Sequence, residues 1–212
     1  MISLWILLLI PLAYLLGAVP FGYLVSHFAS GVDIRQHGSG NIGATNVLRV
    51  LGPLPAAPVF VADAGKGLLA SWAGLMIGGP VAGILCGVAA ILGHNWSVFL
   101  RFRGGRGVAT SLGVLVGLTP WAAVAAAAVW LLVLALSRYV SAASIAAALV
   151  TPAAVWLFHY PPLFFYCITP VAVLVIWRHK ANIHRLLAGT EYRIGQRVPP
   201  KEGGPRTGGG KA

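Results

Sequence analysis

The residues of this chain that could do chemistry fall in four short islands. The first reads Gly38-Ser39-Gly40-Asn41-Ile42-Gly43-Ala44-Thr45-Asn46-Val47-Leu48-Arg49. Its small residues let backbone N–H groups approach an anion, and Ser39, Asn41, Thr45 and Asn46 add side-chain donors. Asn46 and Arg49, three apart, share a face if the segment is helical. The glycine spacing matches a dinucleotide fingerprint, but that motif needs a preceding strand and a βαβ unit, and a long apolar run precedes it here. In the second island, Asp63-Ala64-Gly65-Lys66-Gly67, the two charges are spaced i, i+3 within an apolar run. They read equally well as a structural ion pair and as a substrate contact.

The third island runs from Gly93-His94-Asn95 through Arg101 and Arg103 to Gly104-Gly105-Arg106-Gly107, then opens into a helical stretch with Thr110 and Ser111. It is not a Walker sequence. A helix start still offers free N–H groups and a positive dipole end, and the arginines add the charge a phosphate wants. The fourth, His179-Lys180-Ala181-Asn182-Ile183-His184-Arg185 and on to Glu191, puts His179, Asn182 and Arg185 at helical spacing. His179 could serve as general base, phosphate ligand or interfacial polar residue. His27, His37, His159 and His184 sit in no pattern. A serine-hydrolase elbow, an HExxH motif, paired catalytic carboxylates and a metal cluster are all missing from the sequence. The islands read as an anion-binding surface.

Apolar segments must position these islands. The first 32 residues carry no charge, 58% of the chain is hydrophobic and 9% charged, and mean hydropathy is +0.84. Such a chain threads a bilayer. The runs 2–25, roughly 55–77, 80–100, 107–118, 121–137, 140–158 and 162–178 predict an all-α integral membrane protein of seven transmembrane helices. The connections at Gly78-Gly79-Pro80, Thr119-Pro120 and His159-Tyr160-Pro161-Pro162 hold no Lys or Arg, and all 15 basic residues fall on the other side. That bias predicts an outer N-terminus and a cytoplasmic C-terminus. The weak point is 107–118, about 18 Å long against a hydrocarbon core of about 30 Å. A single kinked helix over 107–137 would give six spans and an outer tail, but Thr119 as N-cap with Pro120 behind it favours a fresh start.

The net charge of +11 does not imply nucleic acid, because the basic residues flank apolar spans and no soluble basic face remains. Residues 2–25 are too long for a signal-peptide core and lack a basic leader, so they read as a retained helix. Cys86 and Cys167 lie in apolar runs and read as packing residues. We expect one domain over 1–198 and a flexible cytoplasmic tail over 199–212, with no internal repeat.

Three spaced motifs resemble a known family. Ser39-Gly40-Asn41-x-Gly43-x-x-Asn46-x-x-Arg49, then Gly93-His94 with Phe102-x-Gly104-Gly105-x-Gly107, then His179-x-x-Asn182-x-x-Arg185-x-x-x-Gly189-x-Glu191 are similar to the cytoplasmic motifs of the bacterial membrane glycerol-3-phosphate acyltransferases that use acyl phosphate. The resemblance spans nearly the whole chain and implies seven helices in the bacterial inner membrane, with the site facing the cytoplasm. It implies transfer of a fatty acyl group from acyl phosphate to the 1-hydroxyl of glycerol 3-phosphate, giving lysophosphatidate and phosphate, the first step of phospholipid synthesis. Ser39, Asn41, Arg49, His179 and Asn182 would then line the glycerol-phosphate side, with Ser39, Arg49, His179 and Asn182 catalytic. Gly104, Gly105, Arg106 and Gly107 would hold the acyl-phosphate head group. Gly40, Gly43, Asn46, Lys66, His94, Thr110, Arg185 and Glu191 complete the expected substrate contacts. Arg106 departs from the family, which usually has Lys there, replacing a point charge by a planar fork. Membrane lipids, the two substrates and coupling to an enzyme that makes acyl phosphate are the expected partners. No cofactor or metal is expected. The other reading is a transporter for an organic phosphate, but transporters gather polar residues near the midplane, and here they gather at one edge.

Overall fold

The computed structural model describes residues 4–198, with side chains from Leu8 onward, so the expected flexible tail lies outside the described residues. They form helices joined by short turns: α1 Leu4–Ala18, α2 Phe21–Ser30, α3 Ala44–Leu51, α4 Pro53–Asn95, α5 Val108–Leu118, α6 Pro120–Ser137, α7 Val140–Leu157, α8 Pro162–Arg178 and α9 Lys180–Leu187. Among the described residues, four helical stretches are long and apolar enough to cross a membrane, counting Leu8–Ser30 as one. A fifth appears if the bent pair α8–α9, which turns by 53°, is one broken span.

Boundaries follow local chemistry. The expected first helix breaks at Val19–Pro20, because Pro20 has no N–H to continue the ladder. At the break the Val19 carbonyl accepts the Phe21 N–H at 3.2 Å and Lys66 Nζ at 3.0 Å. The run 55–77 and residues 80–95 of the run 80–100 fall in α4, and the last residues of that run leave the helix for a 3-10 turn at Val98–Leu100. α4 bends back at Gly79 (φ 72°, ψ −168°), a conformation that favours glycine. Its arms lie antiparallel: Asp63 meets His94, and Gly74 packs on Ala82 and Cys86. α5 runs back along the second arm, with Val114 against Gly87 and Leu118 against Gly83. The chain turns at Thr119 (φ −141°, ψ 66°), so 107–137 is not one kinked helix. Thr119 occupies the N-cap position as expected, yet its hydroxyl caps nothing and donates back to the Leu115 carbonyl at 3.4 Å.

Glycine and alanine set the packing distances. A methyl added at Gly17 or Gly93 would strike the facing backbone of Ala90 or Tyr14, and one at Gly67 or Gly113 that of Thr110 or Ala64. Small residues at such seams are how helices approach when the solvent is hydrocarbon. The outer surface matches: Leu54 is 87% exposed, Leu136 79% and Trp156 66%. Water would penalise so much bare apolar area.

Candidate functional site

A cavity of about 640 Å³ enters at the polar ends of α3, α5, α8 and α9 and runs deep between α4, α5, α6, α7 and α8. Its mouth collects Ser39, Asn41, Gly43, Asn46, Arg49, Arg106, Gly107, His179, Asn182, Arg185 and Glu191. Its interior is apolar, with Val88, Val114, Leu118, Ala127, Ile168 and Val171 among the walls. Cys167, read from sequence as a packing residue, faces this interior as well.

The first island is a loop running into α3, tied by one amide. Asn46 is 2% exposed, its Nδ2 donates to the carbonyls of Ile34, His37 and Asn41, and its Oδ1 accepts the Ser39 N–H at 2.9 Å. Asn46 is thus mainly the organiser of the loop, holding Ser39 at the mouth. Gly40 has φ 72° and keeps the turn, outside the cavity wall. Asn41 Oδ1 accepts the Gly43 N–H at 3.1 Å. Arg49 reaches the mouth from α3 with its Nε buried and unpartnered.

The third island divides its labour. Gly104 and Gly105 N–H donate to the Asn95 and His94 carbonyls, so neither is free for an anion. Both pack where a methyl would collide with His94 or Asn95. Arg178, which the sequence reading left unassigned, donates to the Gly105 carbonyl from Nη2 at 2.6 Å and from Nε at 3.1 Å, and to Gly104 at 3.3 Å. Gly107, Val108 and Ala109, at the start of α5, do face the cavity. Ser111 also lines it with a buried, unpartnered hydroxyl, whereas Thr110 is buried outside the wall.

The fourth island centres on Glu191. Its Oε1 accepts from Asn182 Nδ2 at 2.7 Å and Ser141 Oγ at 2.9 Å, and its Oε2 from Arg185 Nε at 2.7 Å. A carboxylate needs donors, which sets the Asn182 amide with Oδ1 free, and that oxygen is buried without a partner. His179 Nδ1 lies 2.7 Å from the Val175 carbonyl. That carbonyl requires a donor, so the ring is the Nδ1–H tautomer with a lone pair on Nε2.

Lys66 and His94 stand apart from this group. Lys66 Nζ sits 2.7 Å from Asp63 Oδ1, and His94 Nδ1 is 3.4 Å from the same oxygen. The three form a buried cluster between the arms of α4, and only Asp63 and His94 reach the cavity wall. The sequence also missed Tyr192 and Ser141; neither lies in a glycine motif or carries charge.

Electrostatics at the mouth favour anions. Burial, then repulsion from Arg185, pulls the Arg106 guanidinium down to about 10, still cationic at neutral pH. Burial likewise lowers Arg49. At Glu191 burial pushes upward, but the hydrogen bonds from Asn182, Arg185 and Ser141 win and hold its carboxyl below the usual range. Burial drives His179 down to about 4, so the ring is neutral. Three arginines against one carboxylate leave unmatched positive charge over an apolar shaft, as an amphiphile with an anionic head requires.

The family model for glycerol-3-phosphate acyltransferase matches residues 7–189. The chain belongs to the glycerol-3-phosphate acyltransferase family. It is 50% identical over 193 residues to glycerol-3-phosphate acyltransferase 2 of Moorella thermoacetica, covering 91% of this chain and 99% of that one. It is 50% identical over 200 residues to the glycerol-3-phosphate acyltransferase of Desulforudis audaxviator, covering 92% and 98%. The crystal structure of PlsY, an integral membrane glycerol 3-phosphate acyltransferase, in its glycerol 3-phosphate form superposes with TM-score 0.87 at 39% identity, over 90% of this chain and 96% of that one. The lysophosphatidic acid form of PlsY gives 0.84. The acyltransferase therefore has the all-helical integral membrane fold of PlsY.

Proposed function

We propose that this acyltransferase moves a fatty acyl group from acyl phosphate to the 1-hydroxyl of glycerol 3-phosphate. The observation that carries the reading is the joining, in one cavity, of an arginine-rich mouth to an apolar shaft. The mouth suits two phosphates and the shaft suits the acyl chain. PlsY structures with glycerol 3-phosphate and with lysophosphatidic acid support the acceptor and the product.

Acyl phosphate is a mixed anhydride and needs no further activation. The acceptor hydroxyl oxygen attacks the acyl carbon, the bond from that carbon to the bridging oxygen breaks, and phosphate departs with that oxygen. The chain's task is to hold two anions together and stabilise the developing oxyanion. Arg49 and Ser39 take the acceptor phosphate. Arg106 and the N–H groups opening α5 take the donor phosphate, in place of the engaged Gly104 and Gly105 N–H groups. Asn182 Oδ1 orients the attacking hydroxyl. The proton passes to a phosphate oxygen of the donor; His179 Nε2 is the alternative acceptor, but a ring that protonates at about 4 is a weak base.

The same reading takes the seven-crossing threading, with an outer N-terminus and the mouth on the cytoplasmic face of the bacterial inner membrane, supported by the basic residues gathered at one edge. In that threading the arms of α4 count as two crossings and α5 as a short one beneath thinned bilayer. Detergent-purified protein given acyl phosphate and glycerol 3-phosphate should form lysophosphatidate and phosphate in equimolar amounts, unchanged by EDTA. Failure to form them would refute the donor assignment. Loss in EDTA restored by Mg²⁺ would refute the metal-free chemistry.

A further inference from the structure

The segment after α9, residues 188–198, straps across the cavity mouth and is fixed at several points. Glu191 binds Ser141, Asn182 and Arg185 as described. The Ile194 N–H donates to the Arg138 carbonyl at 2.8 Å, and the Val198 N–H donates to the Arg49 carbonyl at 3.2 Å. Between these anchors, the Tyr192 ring lies against the Arg49 guanidinium, whose Cζ is 4.4 Å from the ring centroid. Tyr192 also lines the cavity.

Glu191 attracts the Arg49 charge without forming a hydrogen bond or close ion pair with it, so few other contacts orient the group. Its Nη1 is 3.4 Å from Asn46 Oδ1, an atom already engaged by the shorter bond from the Ser39 N–H. Its Nε is buried without a hydrogen-bond partner. A carboxylate would orient a guanidinium by occupying its N–H edge and cancelling its charge. An aromatic face orients it through the flat of the group and leaves that edge and the charge for a ligand.

We propose that Tyr192 is a positioning residue, whose ring holds Arg49 with its N–H edge toward the phosphate of glycerol 3-phosphate. The inference rests on the reading of Arg49 as the acceptor clamp. The ring matters and the hydroxyl does not, since the hydroxyl makes no hydrogen bond within the described residues. Holding the guanidinium beforehand removes an ordering cost that binding would otherwise meet.

The test uses the full-length purified enzyme carrying Tyr192→Leu, Tyr192→Phe, Arg49→Lys or Tyr192→Leu with Arg49→Lys. The Michaelis constants for both substrates and the melting temperature are measured for each. Tyr192→Leu should raise KM for glycerol 3-phosphate about tenfold while that for acyl phosphate moves less than about twofold. Tyr192→Phe should stay near the parent enzyme. The double variant should lose little beyond Arg49→Lys alone, because the two residues act as one unit. A normal glycerol 3-phosphate KM in Tyr192→Leu, beside a raised one in Arg49→Lys, would overturn the inference and leave the function standing. Equal rises for both substrates with a lowered melting temperature would mark Tyr192 as merely structural, and additive losses would also overturn it. If Arg49→Lys itself binds glycerol 3-phosphate normally, the clamp reading is the one that fails.

Discussion

Arg106 keeps its charge against burial and against the repulsion of Arg185, Arg49 and Arg178, so it is poised to gain most from an arriving phosphate. Arg106→Lys should retain most activity, since either cation answers the charge. Arg106→Ala should lose about 2–4 kcal/mol of transition-state stabilisation, the scale of one preorganised donor, and lose it mainly against acyl phosphate. A loss confined to glycerol 3-phosphate would mean that the two half-sites are exchanged. His179 gives a prediction of the opposite kind. With the ring held neutral down to about 4, its protonation should leave no limb in the rate profile between pH 6 and 8. Unfolding frees the ring to bind a proton near its ordinary value of about 6.5. The unfolded state then holds more protons through the window from about 6.5 down to 4, so stability should fall as pH falls across it. Glu191, held low in the fold, pushes the same way. A melting temperature flat from pH 7 to 4.5, or a rate limb near 6.5 that His179→Gln removes, would contradict this. The sequence motifs named most of the side chains at the mouth because glycine spacing and charge are visible in one dimension. Tyr192 was invisible for the converse reason: an aromatic in a polar tail has no pattern until Arg49 is seen on its face.

Between the elements, Arg178 does the joining. It closes α8 and reaches the carbonyls of Gly104 and Gly105, while its guanidinium also lies 5.5 Å from the Trp96 ring centroid. The loop bearing Arg106 is thereby tied to the helix end bearing His179. Lysine cannot reproduce the forked contact. Arg178→Lys should therefore raise the Michaelis constant for acyl phosphate several-fold, on the order of a lost charged hydrogen bond, with glycerol 3-phosphate binding little changed. An unchanged acyl-phosphate constant would show that the loop holds its shape alone. Sequence placed the element boundaries well where charge or Pro-Gly punctuation marked them, as at Pro120 and Gly79. It did not foresee the break at Val19–Pro20, where a proline inside an apolar run is ordinary in membrane helices and Lys66, 47 residues away, joins the Phe21 N–H on the Val19 carbonyl. It left Asp63 and Lys66 equally open between a structural pair and a substrate contact, and carried Lys66 among the expected contacts. Their ion pair satisfies them within the fold, and composition alone cannot distinguish a satisfied pair from a waiting one.

At the scale of the molecule, the cavity joins a polar mouth to an apolar interior, and in the proposed reaction the acyl chain occupies that interior. Cys167 lies about 18 Å up α8 from His179 by helical rise, so a bulky side chain there should shorten the shaft. Cys167→Phe should lower turnover of long-chain donors much more than short-chain ones, measured as kcat/KM across a series of acyl phosphates. Equal loss at every length would place the acyl chain elsewhere. Lipophilicity and charge segregation made the membrane class plain from sequence. The shaft itself was not legible, because it depends on which alanines of α6 and α7 face inward, and those helices show almost no amphipathic stripe.

The crowding of arginines around a single carboxylate has a thermodynamic echo. An empty mouth that repels itself lowers the stability of the folded enzyme, and any small dianion that relieves the repulsion should return it. Inorganic phosphate, the leaving group in the proposed reaction, should therefore raise the melting temperature in a saturable way, by linkage between ligand binding and folding. The increment should shrink in Arg106→Ala and fade as added chloride screens the field. The enzyme would then sense its own by-product through its fold, and accumulating phosphate would slow it by competing with the donor.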